Sequence, residues 1–219
     1  MNCRWVPLTS PIVTEPSFLT STRESYDTVA EDYVARIAPL FEQEPISRAM
    51  LAAFAEQVRG PVVDVGCGPG HVTAHLASLG LEVTGVDLSP KMIDIARRQH
   101  PELRFFLGSM TALDLPDGEL GGLVAWWSIF HLPPEVLPAA FAEFRRVLAP
   151  GGRLLLGFHV GDERLSPETA YGHPVTYDAY LLDPGKVADL LVRAGFEVTA
   201  RLAMEGRKLP QSCLAARAV

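Results

Sequence analysis

The chain has 219 residues, 48% of them hydrophobic and 21% charged, which suits one α/β domain with a sizeable core and argues against a disordered chain. A formal net charge of -7 with no Lys/Arg run disfavours nucleic acid as substrate or partner, because neutralised phosphates supply most of such affinity. No stretch of about 18 apolar residues occurs, so no membrane span is expected, and the widely spaced Cys3, Cys67 and Cys213 suggest neither a disulfide framework nor a zinc site. Pro7, Pro11 and Pro16 interrupt any apolar run near the start, so no signal peptide is expected and a cytoplasmic location is the default expectation.

Residues 1–24, rich in Pro, Ser and Thr and without periodicity, read as a poorly ordered arm, with residues 25–219 as a single domain. A helix is predicted from near Tyr26, with Val29, Tyr33, Val34 and Ile37 at helical spacing, ending before Pro39. A second amphipathic helix follows over 45–58, closed by Gly60-Pro61. From there strands and helices alternate. Strands are predicted at 62–65, 81–86, 103–107, 120–127 and 153–158. A helix follows the first of these, ending about Ser78, and others are predicted at 90–99 and 134–148. Ser89-Pro90 and Asp183-Pro184 each pair a capping residue with Pro at the first helical position, the second opening a helix that ends at Gly195. Two last strands, 196–203 and 212–218, are separated by a turn at 205–207 and are expected to pair antiparallel. The alternation predicts an α/β fold with a doubly wound, mostly parallel seven-stranded sheet, an antiparallel C-terminal hairpin, and helices on both faces.

The sharpest motif is Val62-Val63-Asp64-Val65-Gly66-Cys67-Gly68-Pro69-Gly70, a buried strand running into glycines at alternate positions. Such a loop lets backbone approach a ligand without Cβ clashes. The next strand ends at Asp87, where a carboxylate in a doubly wound sheet sits beside the loop and can accept both hydroxyls of a ribose. The pair implies a nucleoside-containing cofactor. A dinucleotide fingerprint would place its third glycine where His71 stands. Pro69 also removes an N–H that a pyrophosphate would use. The loop therefore suits a nucleoside with an amino-acid tail and no phosphates.

Asp64-Val65-Gly66-Cys67-Gly68-Pro69-Gly70, then Gly85-Val86-Asp87-Leu88-Ser89-Pro90-Lys91-Met92, then Leu148-Ala149-Pro150-Gly151-Gly152, resemble the class I, seven-stranded S-adenosylmethionine-dependent methyltransferases of the small-molecule type. The resemblance covers residues 26–218 and implies S-adenosylmethionine as cofactor. It implies that Gly66, Gly68, Gly70 and Asp87 hold the donor and that Asp64 reaches its methionine end through loop backbone or water. It places Ser109 and Met110 against the adenine, with Leu88 and Met92 on the other side, and Trp127-Ser128 near the methyl group. It also implies two lids. Tyr26 and Tyr33, seven apart on one helix face, belong to an amino-terminal helical lid over 25–59. The polar stretch 161–182, carrying Tyr171, His173, Tyr177 and Tyr180, is expected to lie on the acceptor side.

Methyl transfer is an in-line displacement in which orientation alone is worth roughly 7–11 kcal/mol, so no metal is expected, and a base is needed only for a protonated nucleophile. His159, at the end of the fifth strand, and His131, after the fourth, are the candidate catalytic bases. Trp126, Trp127 and Phe158, with the tyrosines of 161–182, suggest a partly apolar acceptor pocket for a small, aromatic or terpenoid-like molecule. The chain is expected as monomer or homodimer. A nicotinamide-dependent oxidoreductase is the rival enzyme, and it requires a third loop glycine and a Tyr-x-x-x-Lys that the sequence lacks. A non-catalytic protein that binds S-adenosylmethionine is the other alternative.

Overall fold

A computed structural model describes residues 16–206 and 208–219. Two helices, α1 (Ser17–Glu42) and α2 (Pro45–Gln57), precede an alternating core. The core runs β1 (Val62–Val65), α3 (His71–Ser78), β2 (Val83–Asp87), α4 (Pro90–Gln99), β3 (Arg104–Leu107) and β4 (Leu120–Trp126). A short 3-10 turn, Ile129–His131, then leads to α5 (Leu137–Val147) and β5 (Leu148–His159). Four two-residue strands, β6 (Arg164–Leu165), β7 (Thr169–Ala170), β8 (His173–Pro174) and β9 (Ala179–Tyr180), shape a strap before α6 (Pro184–Arg193) and the closing pair β10 (Phe196–Met204) and β11 (Gln211–Ala218).

The seven long strands form one sheet in the order β10-β11-β5-β4-β1-β2-β3. β1, β2, β3, β4 and β5 pair in parallel, whereas β11 runs antiparallel to both β5 and β10. The predicted terminal hairpin is present, with β11 inserted between β10 and β5. Successive residues of the central strands enter opposite cores. Val63, Leu123 and Leu156 pack with Phe141 and Phe144 of α5 and Leu191 of α6. Their neighbours Val62, Val124 and Leu155 pack with Leu51 and Phe54 of α2 and Leu76 of α3. Each fully buried side chain of this size contributes about 1.5–3 kcal/mol. Both predicted caps form: Ser89 Oγ accepts from the Met92 amide at 3.1 Å and Asp183 Oδ1 from the Lys186 amide at 2.8 Å.

The first helix departs from expectation at both ends. It starts at Ser17 rather than near Tyr26 and runs through Pro39 to Glu42, so residues 17–24 are not an arm; residues 1–15 lie outside the described residues. The early start rests on tertiary partners: Leu19 is buried, and buried Ser25 accepts through Oγ from the Thr176 amide at 2.9 Å. The fifth strand also begins earlier than predicted, at Leu148 instead of 153, because Leu148 pairs with Leu120 ahead of the Gly151-Gly152 turn. The chain leaves β1 for β2 on one side and returns to β4 on the other. This topological switch point is where open α/β sheets bind ligands.

Candidate active site

The carboxyl ends of β1, β2, β3 and β4 surround a pocket of about 720 Å³. The loop after β1 forms its floor. Gly66 has a φ of 71°, and a Cβ there would stand 2.3 Å from Cβ of Ser128, whose Oγ donates to the Val65 carbonyl at 2.9 Å. Only glycine lets the loop pass that close to the end of β4. At Gly68 a Cβ would meet nothing within 4 Å, so the backbone there faces open pocket.

Asp87 ties this loop to the end of β2. Its Oδ2 accepts from the Gly68 amide and its Oδ1 from the Ser89 amide, both at 2.8 Å. Burial raises its pKa above the ordinary carboxylate value, while these amides work against that shift. An ionised carboxylate offers about four acceptor sites, more than these amides use. Gly108, Ser109 and Met110 line the pocket beyond β3, with Leu88 and Met92 beside Asp87. Met92 serves the core as well, packing on Ala30 and Ile95. Ser109 Oγ is engaged by Thr111, with Oγ1 at 2.8 Å and the amide at 3.2 Å.

The roof is α1 latched to the strap. Tyr26, Tyr33, Leu19, Thr22 and Arg23 face the pocket. The His131 ring stands between them and the strap: Nδ1 donates to the Asp178 carbonyl at 2.9 Å, so Nε2 accepts from the Tyr26 hydroxyl at 2.8 Å. Burial lowers the His131 pKa to about 4 and pushes the Tyr26 phenol well above its ordinary value, so both are neutral partners at pH 7. Tyr26 also stacks on Tyr177 at 5.7 Å, and Tyr33 meets Tyr171 edge-on at 5.3 Å. His173 Nε2 reaches Asp32 at 2.7 Å. On the opposite side, Asp27 Oδ1 accepts from Ser89 Oγ at 2.6 Å and from the Lys91 amide at 3.1 Å, fixing α1 to the start of α4. The strap, through Tyr171, His173, Thr176, Tyr177 and Asp178, thus packs on the roof of this pocket.

Twelve of the expected residues meet around this pocket: Tyr26, Tyr33, Gly66, Gly68, Asp87, Leu88, Met92, Ser109, Met110, Trp127, Ser128 and His131. Three do not line it. Asp64 lies beneath the loop, accepting from Thr73 Oγ1 at 2.7 Å, with its pKa raised to about 7 by burial. Gly70 caps α3 in the left-handed region, and a Cβ there would meet Phe105 Cζ at 2.8 Å, so packing explains it. His159 borders a second cavity. Arg23, Thr22 and Leu19 were invisible to sequence reasoning because they fall in the segment read as an arm.

That second cavity is an open cleft of about 1640 Å³ between the α1–α2 corner and the β10–β11 hairpin. Between it and the first pocket, Trp127 and His159 stack at 5.3 Å, and Phe130 lies 5.1 Å from the same imidazole. Trp127 holds a φ of 54°, a strained conformation for a bulky residue. Buried His159 Nδ1 has no hydrogen-bond partner among the described residues, and burial lowers its pKa below the ordinary imidazole value. Trp126 and Phe158, also expected in an acceptor pocket, are in the cores. Trp126 packs with Val124 and Leu155, and Phe158 with Leu156. In strands buried on both faces, alternation does not say which face a ligand meets.

A parallel sheet with a switch point, a glycine loop, and a carboxylate at the end of β2 define a Rossmann-like protein built to hold a nucleoside. Residues 62–152, a little over two fifths of the chain, match the family described as "Methyltransferase domain". Over 117 residues the chain is 32% identical to a malonyl-[acyl-carrier protein] O-methyltransferase of Serratia marcescens, covering 52% of this chain and 44% of that protein. It is 32% identical over 146 residues to the O-methyltransferase cnsE of Penicillium expansum, covering 63% and 52%. The chain thus spans about half the length of these curated relatives. Among solved structures, the 1,6-didemethyltoxoflavin-N1-methyltransferase of Burkholderia thailandensis, with 1,6-didemethyltoxoflavin and S-adenosylhomocysteine bound, superposes with a TM-score of 0.71 at 21% identity, covering 97% of this chain and 93% of that one. At that identity the likeness is one of fold.

Proposed function

We propose that the chain transfers a methyl group from S-adenosylmethionine to the oxygen or nitrogen of a partly apolar small molecule. The observation that carries this reading is Asp87: a carboxylate on the wall of the pocket, tied by the Gly68 and Ser89 amides to a loop that leaves open space above Gly68. The residues present fit that donor. Asp87 suits the ribose hydroxyls, and Gly108, Ser109, Met110, Leu88 and Met92 form a slot for the adenine. Arg23, the guanidinium on the pocket wall, suits the tail carboxylate. The faces of Tyr26, Tyr33 and Trp127 suit a cation. When bound, S-adenosylmethionine supplies a methyl group on a positively charged sulfur.

The protein's part is to hold, orient and keep dry. The roof excludes water from the pocket, and the fixed floor restricts the approach to one line, the source of most of the rate. His159 presents a neutral imidazole at the inner end of the cleft and takes the proton of a hydroxyl or ammonium acceptor. His131 uses both ring nitrogens in the roof and so positions Tyr26 instead of acting as base. Calorimetric titration with S-adenosylmethionine and S-adenosylhomocysteine tests the reading. Micromolar binding is expected. Asp87→Ala, which removes two charge-assisted hydrogen bonds of about 1.5–3 kcal/mol each, should lose at least 100-fold. No heat from either ligand refutes the donor assignment; binding with no transfer to any acceptor favours a non-catalytic role.

A further inference from the structure

The donor pocket accounts for the glycine loop, Asp87 and the roof, and leaves the larger cleft beyond the Trp127–His159 stack without a use. Its walls are apolar: Ile37 and Leu40 of α1 and Ile46 of α2 face Leu202 and Met204 of β10 and Leu209 of the hairpin turn. Ile46 is 51% exposed, a large aliphatic side chain left in water at the mouth. The rim is polar, with Glu44 and Gln43 on one side and Glu205 and Lys208 on the other. The inner end has a different character, with the His159 imidazole against the indole that also walls the donor pocket. At about 1640 Å³, part of it open to solvent, the cleft is more than twice the 720 Å³ donor pocket. A single-ring metabolite would leave most of the apolar wall wet.

We infer that this cleft is the acceptor site and that its ligand is an amphipath, with a nucleophilic head at the Trp127–His159 wall and an extended hydrocarbon chain lying along the aliphatic walls towards the mouth. The inference rests on the methyltransferase reading above and names the acceptor class within it. In the transfer, the head oxygen or nitrogen bonds to the methyl carbon as the sulfur–methyl bond breaks. The electron pair of that bond stays on sulfur, and the proton of the head passes to the accessible edge of the His159 imidazole and on to solvent. The strained backbone at Trp127 holds the indole flat against His159, so the head is presented at the edge of the wall and the chain is kept on the cleft side.

The test uses methyl, butyl and octyl 4-hydroxybenzoate as probes, below their micellar concentrations, with S-adenosylhomocysteine bound. Affinity is read from quenching of tryptophan fluorescence, and methyl incorporation from S-adenosylmethionine by mass spectrometry. Affinity is expected to rise roughly fourfold per added methylene until the cleft is filled. Ile46→Glu at the mouth and Met204→Trp in the wall should each flatten that dependence at least tenfold for the octyl ester, with S-adenosylhomocysteine affinity unchanged. Chain-length-independent affinity overturns the inference, as does a dependence that both variants leave intact. A protein that gives no heat with S-adenosylhomocysteine fails at the earlier step, and the calorimetric titration reports that failure separately.

Discussion

Replacing Asp64 by Asn tests how the loop is built. The carboxyl is 1% exposed, receives one side-chain hydrogen bond, from Thr73 Oγ1 at 2.7 Å, and has a pKa raised from 3.8 to about 7, chiefly by burial. The folded state therefore holds this proton more tightly than the unfolded chain does. The stability that follows is complete below pH 3.8 and is lost as the pH rises to about 7. A shift of this size corresponds to about 4 kcal/mol, at 1.36 kcal/mol per pKa unit. An Asn amide keeps the shape and an acceptor for Thr73 without the charge. Asp64→Asn should match wild type near pH 4 and exceed it by about 4 kcal/mol at pH 8.5, with most of the gap opening between pH 5 and 7. Urea titrations of both proteins at a series of pH values measure this as a change in midpoint at constant slope. Asp64→Asn less stable than wild type at pH 8.5 would show that the loop stabilises the carboxylate, and the reasoning would be wrong. Donor affinity is expected to move the other way, because a buried negative charge beneath the loop favours a cationic ligand above it; such an exchange of stability for function is common at active sites.

Gly66→Ala forces a Cβ to 2.3 Å from the Ser128 Cβ at a φ of 71°, and should lower the melting temperature and abolish donor heat in calorimetry. Adding Ser128→Gly removes the clash and should recover part of the stability, leaving the left-handed strain of about 1–2 kcal/mol; no recovery would refute the steric account. Burial depresses the His131 pKa from 6.5 to about 4, so the stability linked to its neutral form is present above pH 6.5 and lost as the pH falls to 4, at most about 3 kcal/mol. Comparing wild type with His131→Asn in urea melts from pH 7 to 4 should show the wild-type midpoint falling more steeply. Phe141→Ala, at a side chain with no exposed surface, should cost about 3–5 kcal/mol in the same assay.

What the sequence made legible is what local chemistry determines. The floor of the pocket could be read because Gly66, Gly68 and Asp87 act through a strand, a turn and the next strand, and their roles follow from backbone geometry. The caps at Ser89 and Asp183 were legible for the same reason, each bonding an amide three residues on. The roof was legible only in part. Tyr26 and Tyr33 stand out as aromatics on one helix face, but residues 17–24 carry hydroxyls where an isolated helix would show apolar residues. Their partners lie far away in sequence, as with Ser25 and the Thr176 amide. Pro39 marked a false end, because a long helix packed at both ends tolerates one missing amide. The cleft was the least legible part. It is assembled from the end of α1, the start of α2 and the hairpin turn, three segments with no shared motif.

The two cavities share one rigid element. α1 roofs the first pocket through Leu19, Tyr26 and Tyr33, and its last turns, through Ile37 and Leu40, wall the cleft. At 1.5 Å per residue its 26 residues span roughly 39 Å, enough to cross the sheet from above β2 to above β5. The helix is held by Asp27 to α4 and by Ser25 and Asp32 to the strap, all of them contacts that can break and re-form. Pro39 stands at the far end and removes one helical hydrogen bond. A displacement of α1 that separated Tyr26 from His131 would therefore bear on the walls that Ile37 and Leu40 supply to the cleft. If the two cavities hold donor and acceptor as proposed, occupancy of one is expected to change the affinity of the other through α1, which walls both.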